Sequence, residues 1–99
     1  EPFGALDEQL KLSMQKQLLD LWERNRSTIV FVTHDLAEAV TLADQVVVFT
    51  SRPARIKAVK TIDLPRPRDP YRIHFSKEVQ SICAELWELL EDELRETVQ

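Results

Sequence analysis

The stretch from Ser27 to Asp35, read STIVFVTHD, constrains the fold of this chain more than any other. Residues 28–32 are almost all β-branched or aromatic, a run typical of a strand covered on both faces. Polar side chains follow at residues 33–35, and ligands of open α/β sheets bind at the carboxyl ends of strands. The stretch therefore predicts a buried strand with His34 at its end.

A helix and a second strand are predicted to follow this junction. Asp35 can cap a helix over residues 36–43, because Glu38 follows three residues later and apolar residues recur at helical spacing. Residues 46–50 (VVVFT) then predict a second buried strand. Because a helix separates the two strands, we expect them to be parallel and to form a right-handed βαβ unit.

Two long helices, an edge strand and a connector complete the predicted α/β fold. Asp7 is a candidate N-cap for a helix over residues 8–24. Residues 55–64 alternate in polarity as an edge strand does. Three prolines exclude a helix from residues 65–70, which predicts an extended connector before a second long helix over residues 76–97.

Each long helix carries a predicted apolar stripe. The stripe of the first helix consists of Leu6, Leu10, Met14, Leu18, Leu21 and Trp22. The stripe of the second consists of Val79, Ile82, Cys83, Leu86, Leu90 and Leu94.

Composition excludes several classes of protein. Ninety-nine residues with 43% hydrophobic content allow one small domain, and the single cysteine, Cys83, excludes an internal disulfide. A formal charge of −4 argues against a general nucleic-acid binder. Basic residues outnumber acidic ones seven to two in residues 52–75, and the ratio is reversed in residues 76–99. Such charge runs usually form solvated faces that can lie against each other.

Glycine usage excludes one kind of site. Gly4 is the one glycine of the sequence, whereas a loop that cradles phosphate needs at least two glycines at close approaches of the backbone. Together with a first segment of Glu1-Pro2-Phe3, this indicates a piece of a larger protein.

Taken alone, a single histidine beside a strand, such as His34, is more often a hydrogen-bonded structural residue than a catalytic one. No serine–histidine–acid arrangement and no Cys/His spacing suited to zinc accompanies it.

The order of the motifs, however, resembles the ATP-binding subunits of ABC transporters. EPFGALD, a long helix, and then TIVFVTHDLAEA and LADQVVVF follow one another as in that family. By this resemblance Glu1 matches the glutamate after the Walker B strand, and His34 matches the switch histidine of the H-loop. Gly4, Ala5, Leu6 and Asp7 match the D-loop. The stretches SRPARI and IDLPRPRD resemble the importers of nitrate, sulfonates and taurine.

The resemblance implies part of a P-loop NTPase-type fold, with two parallel strands, an edge strand and two long helices. Residues 1–64 would form the C-terminal part of a nucleotide-binding domain, and residues 65–99 a proline-rich connector and an acidic helix. Glu1 and His34 would be catalytic, His34 would also contact the nucleotide, and Gly4 to Asp7 would lie at a subunit interface. No metal ligand is assigned.

The Walker A loop, Q-loop, signature motif and Walker B aspartate are not among these residues. The resemblance therefore implies ATP and Mg²⁺ in a full-length parent ATPase and predicts no hydrolysis by the fragment alone. The implied partners are a transmembrane permease, a second ATPase subunit and, indirectly, a solute-binding protein, with no nucleic acid. The implied location is cytoplasmic, on the inner face of the cell membrane.

An alternative function is a non-catalytic interaction module. Under this hypothesis the stripe of Leu86, Leu90 and Leu94 on the acidic helix packs against a partner or a second copy. Unpaired strand edges also predict that the fragment forms a homo-oligomer.

Overall fold

Three helices and a β-hairpin make up the part of the chain that the structure, a computed structural model, describes. The described backbone covers residues 4–98, and side chains are described as far as residue 92. The elements are α1 (Gly4–Asn25), α2 (Leu36–Leu42), β1 (Gln45–Phe49), β2 (Ile56–Thr61), a short 3₁₀ helix (Ile73–Phe75) and α3 (Lys77–Val98). The α/β class, α2, β1, the edge strand and the last helix are thus confirmed.

The sheet consists of β1 and β2, which pair antiparallel with Val47 opposite Val59. Thr50 closes the turn between them: its amide donates to the Arg55 carbonyl at 2.8 Å, and its hydroxyl donates to the Pro53 carbonyl at 2.7 Å. A connection this short allows only antiparallel pairing.

The prediction of two parallel strands is therefore wrong. Residues 28–32 form neither strand nor helix in the described chain, and Val30 and Val32 are 88% and 92% exposed. A strand needs a neighbour that takes up its backbone hydrogen bonds. Among the described residues no strand pairs with this segment, so its β-branched composition alone does not make it a strand.

The core lies between α2, the hairpin and α3. Its fully buried apolar side chains are Val40, Val48, Ile62, Val79 and Leu86. Ile82, Cys83, Leu89 and Leu90 pack against them, which confirms the predicted stripe of α3 as far as its side chains are described. Lys60 of β2 and Glu85 of α3 form an ion pair beside this core, so the basic and acidic segments do lie against each other.

This core contradicts the basis of the interaction-module hypothesis. That hypothesis needs Leu86 and Leu90 on a free surface, but Leu86 is 0% exposed and Leu90 packs against the same cluster. The side chain of Leu94 lies outside the described residues. The apolar stripe of α3 packs against the hairpin and α2 of the same chain, because a small domain has few other apolar faces from which to build a core.

Helix α1 differs from its prediction at both its start and its buried face. It begins at Gly4, so Asp7 lies in its first turn and is not its N-cap. A carboxylate in the first turn is stabilised by the positive end of the helix dipole. Most of the predicted stripe is exposed, with Met14 at 68%, whereas Gln15 and Leu19 are buried. The face that carries Gln15 and Leu19 lies towards the rest of the chain. Its contacts are polar as well as apolar, so an apolar stripe in the sequence does not identify it.

Arg68, in the proline-rich connector, joins the end of α2 to the end of β2. Its side chain is only 6% exposed, and burial lowers the pKa of its guanidinium, as does the nearby Arg66. It donates to five backbone carbonyls at 2.6–3.4 Å, those of Val40, Thr41, Ala43, Ile62 and Leu64. Three of these belong to the C-terminal end of α2, where helix carbonyls have no partner within the helix.

Arg66, two residues earlier, joins the connector to α1. It pairs with Asp44 at 3.0 Å, donates to the Leu42 carbonyl at 2.8 Å, and lies over the ring of Trp22 at 4.2 Å from the centroid. Arg26 lies over the same ring at 4.5 Å. The connector is thus attached to both α1 and α2.

We expect Arg68→Met to destabilise the fold by about 3 kcal/mol, since it leaves buried helix-end carbonyls without donors. Chemical unfolding followed by circular dichroism measures the change. The control is Arg72→Met at an exposed position between the connector and the 3₁₀ helix, with an expected change within about 0.5 kcal/mol. Equal stabilities of the two variants would contradict the role given to Arg68.

We also expect the 99-residue chain by itself to self-associate through residues 29–32, because this apolar segment has unpaired backbone and exposed side chains. The double variant Val30→Lys/Val32→Lys should bring the mass measured by light scattering down towards 11.5 kDa. Leu10→Lys, at an exposed position of α1, is the control and should leave the mass unchanged. A monomeric wild-type chain at high concentration would refute this expectation.

Candidate functional site

His34 occupies a bend directly before α2, with its side chain exposed. Both of its neighbours are fixed by a hydrogen bond that spans it: the amide of Asp35 donates to the hydroxyl of Thr33 at 3.0 Å. Among the described residues, no hydrogen bond or ion pair involves the imidazole itself. The backbone of this bend is therefore held in place while the ring remains available.

Asp35 fixes the other side of the bend by capping α2. Its Oδ1 accepts from the amide of Glu38 at 3.2 Å, which confirms the predicted N-cap. The reciprocal half of a capping box is not formed, because the Asp35 amide is bonded to Thr33 and the Glu38 carboxylate accepts from Gln15 Nε2 at 3.2 Å.

Two polar side chains of α1 meet the two carboxylates of α2. Lys11 Nζ donates to Asp35 Oδ2 at 2.7 Å, and Gln15, one turn later, donates to Glu38. We name this group of four residues the α1–α2 clamp. Sequence reasoning missed Lys11 and Gln15, although their i,i+4 spacing matches the i,i+3 spacing of the two carboxylates across the helix contact.

The electrostatics of the clamp favour the ion pair. Burial by itself raises the pKa of Asp35, but the hydrogen bonds from Lys11 and from the Glu38 amide outweigh it, so the pKa lies below its usual 3.8. The same hydrogen bond, reinforced by the charge of Asp35, raises the pKa of Lys11. Both side chains are therefore charged at neutral pH.

Asp35 also affects the single cysteine. The pKa of the Cys83 thiol is raised mainly by burial and further by the negative charge of Asp35. Since the thiolate is the reactive form, Cys83 behaves as a packing residue of α3.

The structure brings only some of the sequence-predicted site residues together. Gly4 to Asp7 lie in the first turn of α1, so this segment is helix where a loop was predicted, because the helix extends to Gly4. Asp7 precedes Lys11 by one turn, about 5–6 Å along the same face, and Lys11 contacts the residue next to His34. Glu1 lies outside the described residues.

An open cavity of about 220 Å³ lies elsewhere, between the connector and the start of α3. Arg68, Arg72 and Ser76 are among its lining residues, and His34 is not. It is therefore separate from the His34 bend. No helix within residues 4–98 has the length and hydropathy needed to cross a membrane.

The lowered pKa of Asp35 predicts a dependence of stability on pH. A carboxylate with a depressed pKa in the folded state contributes stability above its ordinary pKa of 3.8 and loses that contribution as the pH falls through the folded value. Asp35→Asn keeps a capping side chain but removes the charge. The difference in unfolding free energy between wild type and Asp35→Asn should thus be constant from neutral pH to about pH 5 and shrink below about pH 4.

Unfolding titrations with denaturant across this pH range measure that difference. Asp20→Asn is the control, because it removes only the exposed pair with Lys16 within α1. A difference for Asp35→Asn that is independent of pH would contradict the ion pair.

Curated relatives are similar to most of the chain. An ATP-binding protein of Brucella melitensis is 47% identical over 87 residues, which is 88% of this chain and 36% of the relative. An ABC transporter ATP-binding protein of Methanocaldococcus jannaschii is 43% identical over all 99 residues and 36% of its own length. A bicarbonate transport ATP-binding protein of Synechococcus elongatus is 49% identical over 74 residues, covering 74% of this chain and 27% of the relative.

The chain thus spans about a third of the length of the curated relatives that it matches. No protein-family model matches it. Identities of 43–49% over stretches that contain the His34 bend are far above chance similarity for segments of this length. The chain belongs to the family of ABC transporter ATP-binding proteins.

Proposed function

We propose that this chain is the C-terminal part of the ATP-hydrolysing subunit of an ABC importer for small anions. His34 is assigned as the switch residue that contacts the γ-phosphate of ATP. The observation that carries this assignment is the His34 bend, which combines an exposed imidazole with a backbone fixed by Thr33 and Asp35. Because the backbone on both sides of the ring is already fixed, binding a ligand there has no entropic cost of ordering the backbone.

The chemistry assigned to His34 is hydrogen-bond donation. An imidazole N–H placed at the γ-phosphate stabilises the negative charge that builds up during phosphoryl transfer. The same contact reports whether the γ-phosphate is present. Neither role requires His34 to accept a proton.

Glu1 and the segment Gly4 to Asp7 complete the proposal. A carboxylate that orients the attacking water and accepts its proton is the role assigned to Glu1. Gly4 to Asp7 are assigned to the interface with a second subunit. Their exposure on the first turn of α1 supports this role, since an interface residue must be accessible before assembly.

The nucleotide requires residues beyond these 99. ATP and Mg²⁺ need glycine-rich amides, a lysine and a metal-binding carboxylate of the kind found in P-loop proteins. The sequence has one glycine and no such loop, so we propose that the chain alone hydrolyses no ATP. The residues present fit only the γ-phosphate side of such a site.

The substrate and partners follow from the family. A relative that is 49% identical is named for bicarbonate transport, which supports a small-anion importer of the nitrate, sulfonate or taurine type. The proposed partners are a permease in the membrane, a second ATPase subunit and, indirectly, a solute-binding protein. The proposed location is the cytoplasmic face of the cell membrane. Residues 1–64 are proposed as the C-terminal part of the nucleotide-binding domain, and residues 65–99 as the proline-rich connector and acidic helix.

We expect His34→Ala in the full-length subunit to lower the ATP turnover number by at least about 100-fold, the usual cost of removing one donor to a developing charge. His74→Ala is the matched control, because His74 is also exposed but lies in the 3₁₀ helix after the connector. Steady-state phosphate release measures both variants. Wild-type turnover in His34→Ala would refute the role of His34, and an inactive wild-type subunit would refute the proposed function as a whole.

A further inference from the structure

We propose that Lys11 and Gln15 are positioning residues that hold His34 in its working orientation through the α1–α2 clamp. This inference rests on the proposed function, because it concerns the same imidazole. Neither side chain is assigned any contact with ATP. They act on the residues that follow His34 in the chain.

Several contacts converge on Asp35. Its Oδ2 accepts from Lys11 at 2.7 Å, its Oδ1 accepts from the amide of Glu38 at 3.2 Å, and its own amide donates to Thr33 at 3.0 Å. Two of these contacts lie within the bend and the start of α2. Of these three contacts only the one with Lys11 comes from another element, so Lys11 joins the bend to α1.

Glu38, the acidic side chain in the first turn of α2, is also bound by α1. Gln15 donates to it at 3.2 Å from a position on α1 one turn beyond Lys11. Together with the burial of Val40 in the core, these two bonds, one turn apart, restrain the rotation of α2 relative to α1. Since His34 directly precedes α2, the direction of its imidazole depends on that rotation.

The position of Gln15 lowers the stability of the fold. Its side chain is 5% exposed, and its Oε1 has no hydrogen-bond partner among the described residues. A buried unpaired acceptor destabilises a fold, and an apolar side chain would fill the same space without this cost. The one bond that Gln15 does make, to Glu38, therefore accounts for its place in the helix contact better than stability does.

The experiment compares Lys11→Met, Lys11→Arg and Lys16→Met in the full-length ATP-binding subunit with its permease. Lys11→Met keeps the aliphatic part of the side chain and removes the donor, whereas Lys11→Arg restores a donor. Lys16→Met is the matched control, because among the described residues the one ion pair of Lys16 is that with Asp20, on the exposed face of the same helix. Each change is also made in the His34→Ala background.

We expect Lys11→Met to lower kcat by about tenfold and to change KM for ATP by less than about twofold, since misplacing a catalytic group affects the transition state more than binding. Lys11→Arg should recover most of the activity, and Lys16→Met should equal wild type. In the His34→Ala background Lys11→Met should cause no further loss, because its effect passes through His34. An unchanged kcat, or the same fractional loss with and without His34, would overturn the inference.

A second readout applies whatever turnover His34→Ala retains. The imidazole Cε1–H resonances of His34 and His74 are assigned in the ¹³C-histidine-labelled subunit by their disappearance in single substitutions. Lys11→Met should shift or broaden the His34 resonance and leave that of His74 unchanged. An unaffected His34 resonance overturns the positioning role, while wild-type turnover of His34→Ala overturns the proposed function of His34 and leaves the resonance test of Lys11 intact.

Discussion

The need of backbone carbonyls and amides for hydrogen-bond partners explains most of this structure. The hairpin satisfies β1 and β2 through each other, and the guanidinium of Arg68 satisfies the carbonyls at the end of α2. Residues 28–32 have no such partner in the described chain and form no strand, despite a sequence that favours one. Pairing therefore decides where strands form here, and side-chain propensity comes second.

The candidate site is organised in the same way. Thr33, Asp35 and Glu38 take up the backbone and side-chain donors around the start of α2, and Lys11 and Gln15 connect them to α1. Within the described chain, the side chain of His34 takes no part in a hydrogen bond or an ion pair. An imidazole without such bonds, between neighbours that are held by hydrogen bonds, suits a residue that must recognise a ligand.

Local signals in the sequence were sufficient for the elements that depend on neighbouring residues. The Asp35 cap, the strand predicted at residues 46–50 and the apolar stripe of α3 depend on periodicity and capping. The cap and the strand are confirmed, and the stripe is confirmed as far as its side chains are described. The parallel pairing failed because residues 28–32 form no strand in the described chain, so β1 has no parallel neighbour there. Arg68 and Lys11 could not be found either, since an arginine between prolines or a lysine within a helix looks solvated until its distant acceptors are known.

The contacts of the Trp22 ring with Arg26 and Arg66 have a mechanical consequence for α1. The helix is supported near Lys11 by Asp35 and again at Trp22 by the connector, and eleven residues separate the two supports, about 16 Å along the axis. A rigid rod supported at two separated points cannot swing about either one. A rigid-body displacement of α1 therefore strains its contacts with the beginning of α2 and with the proline-rich connector at the same time.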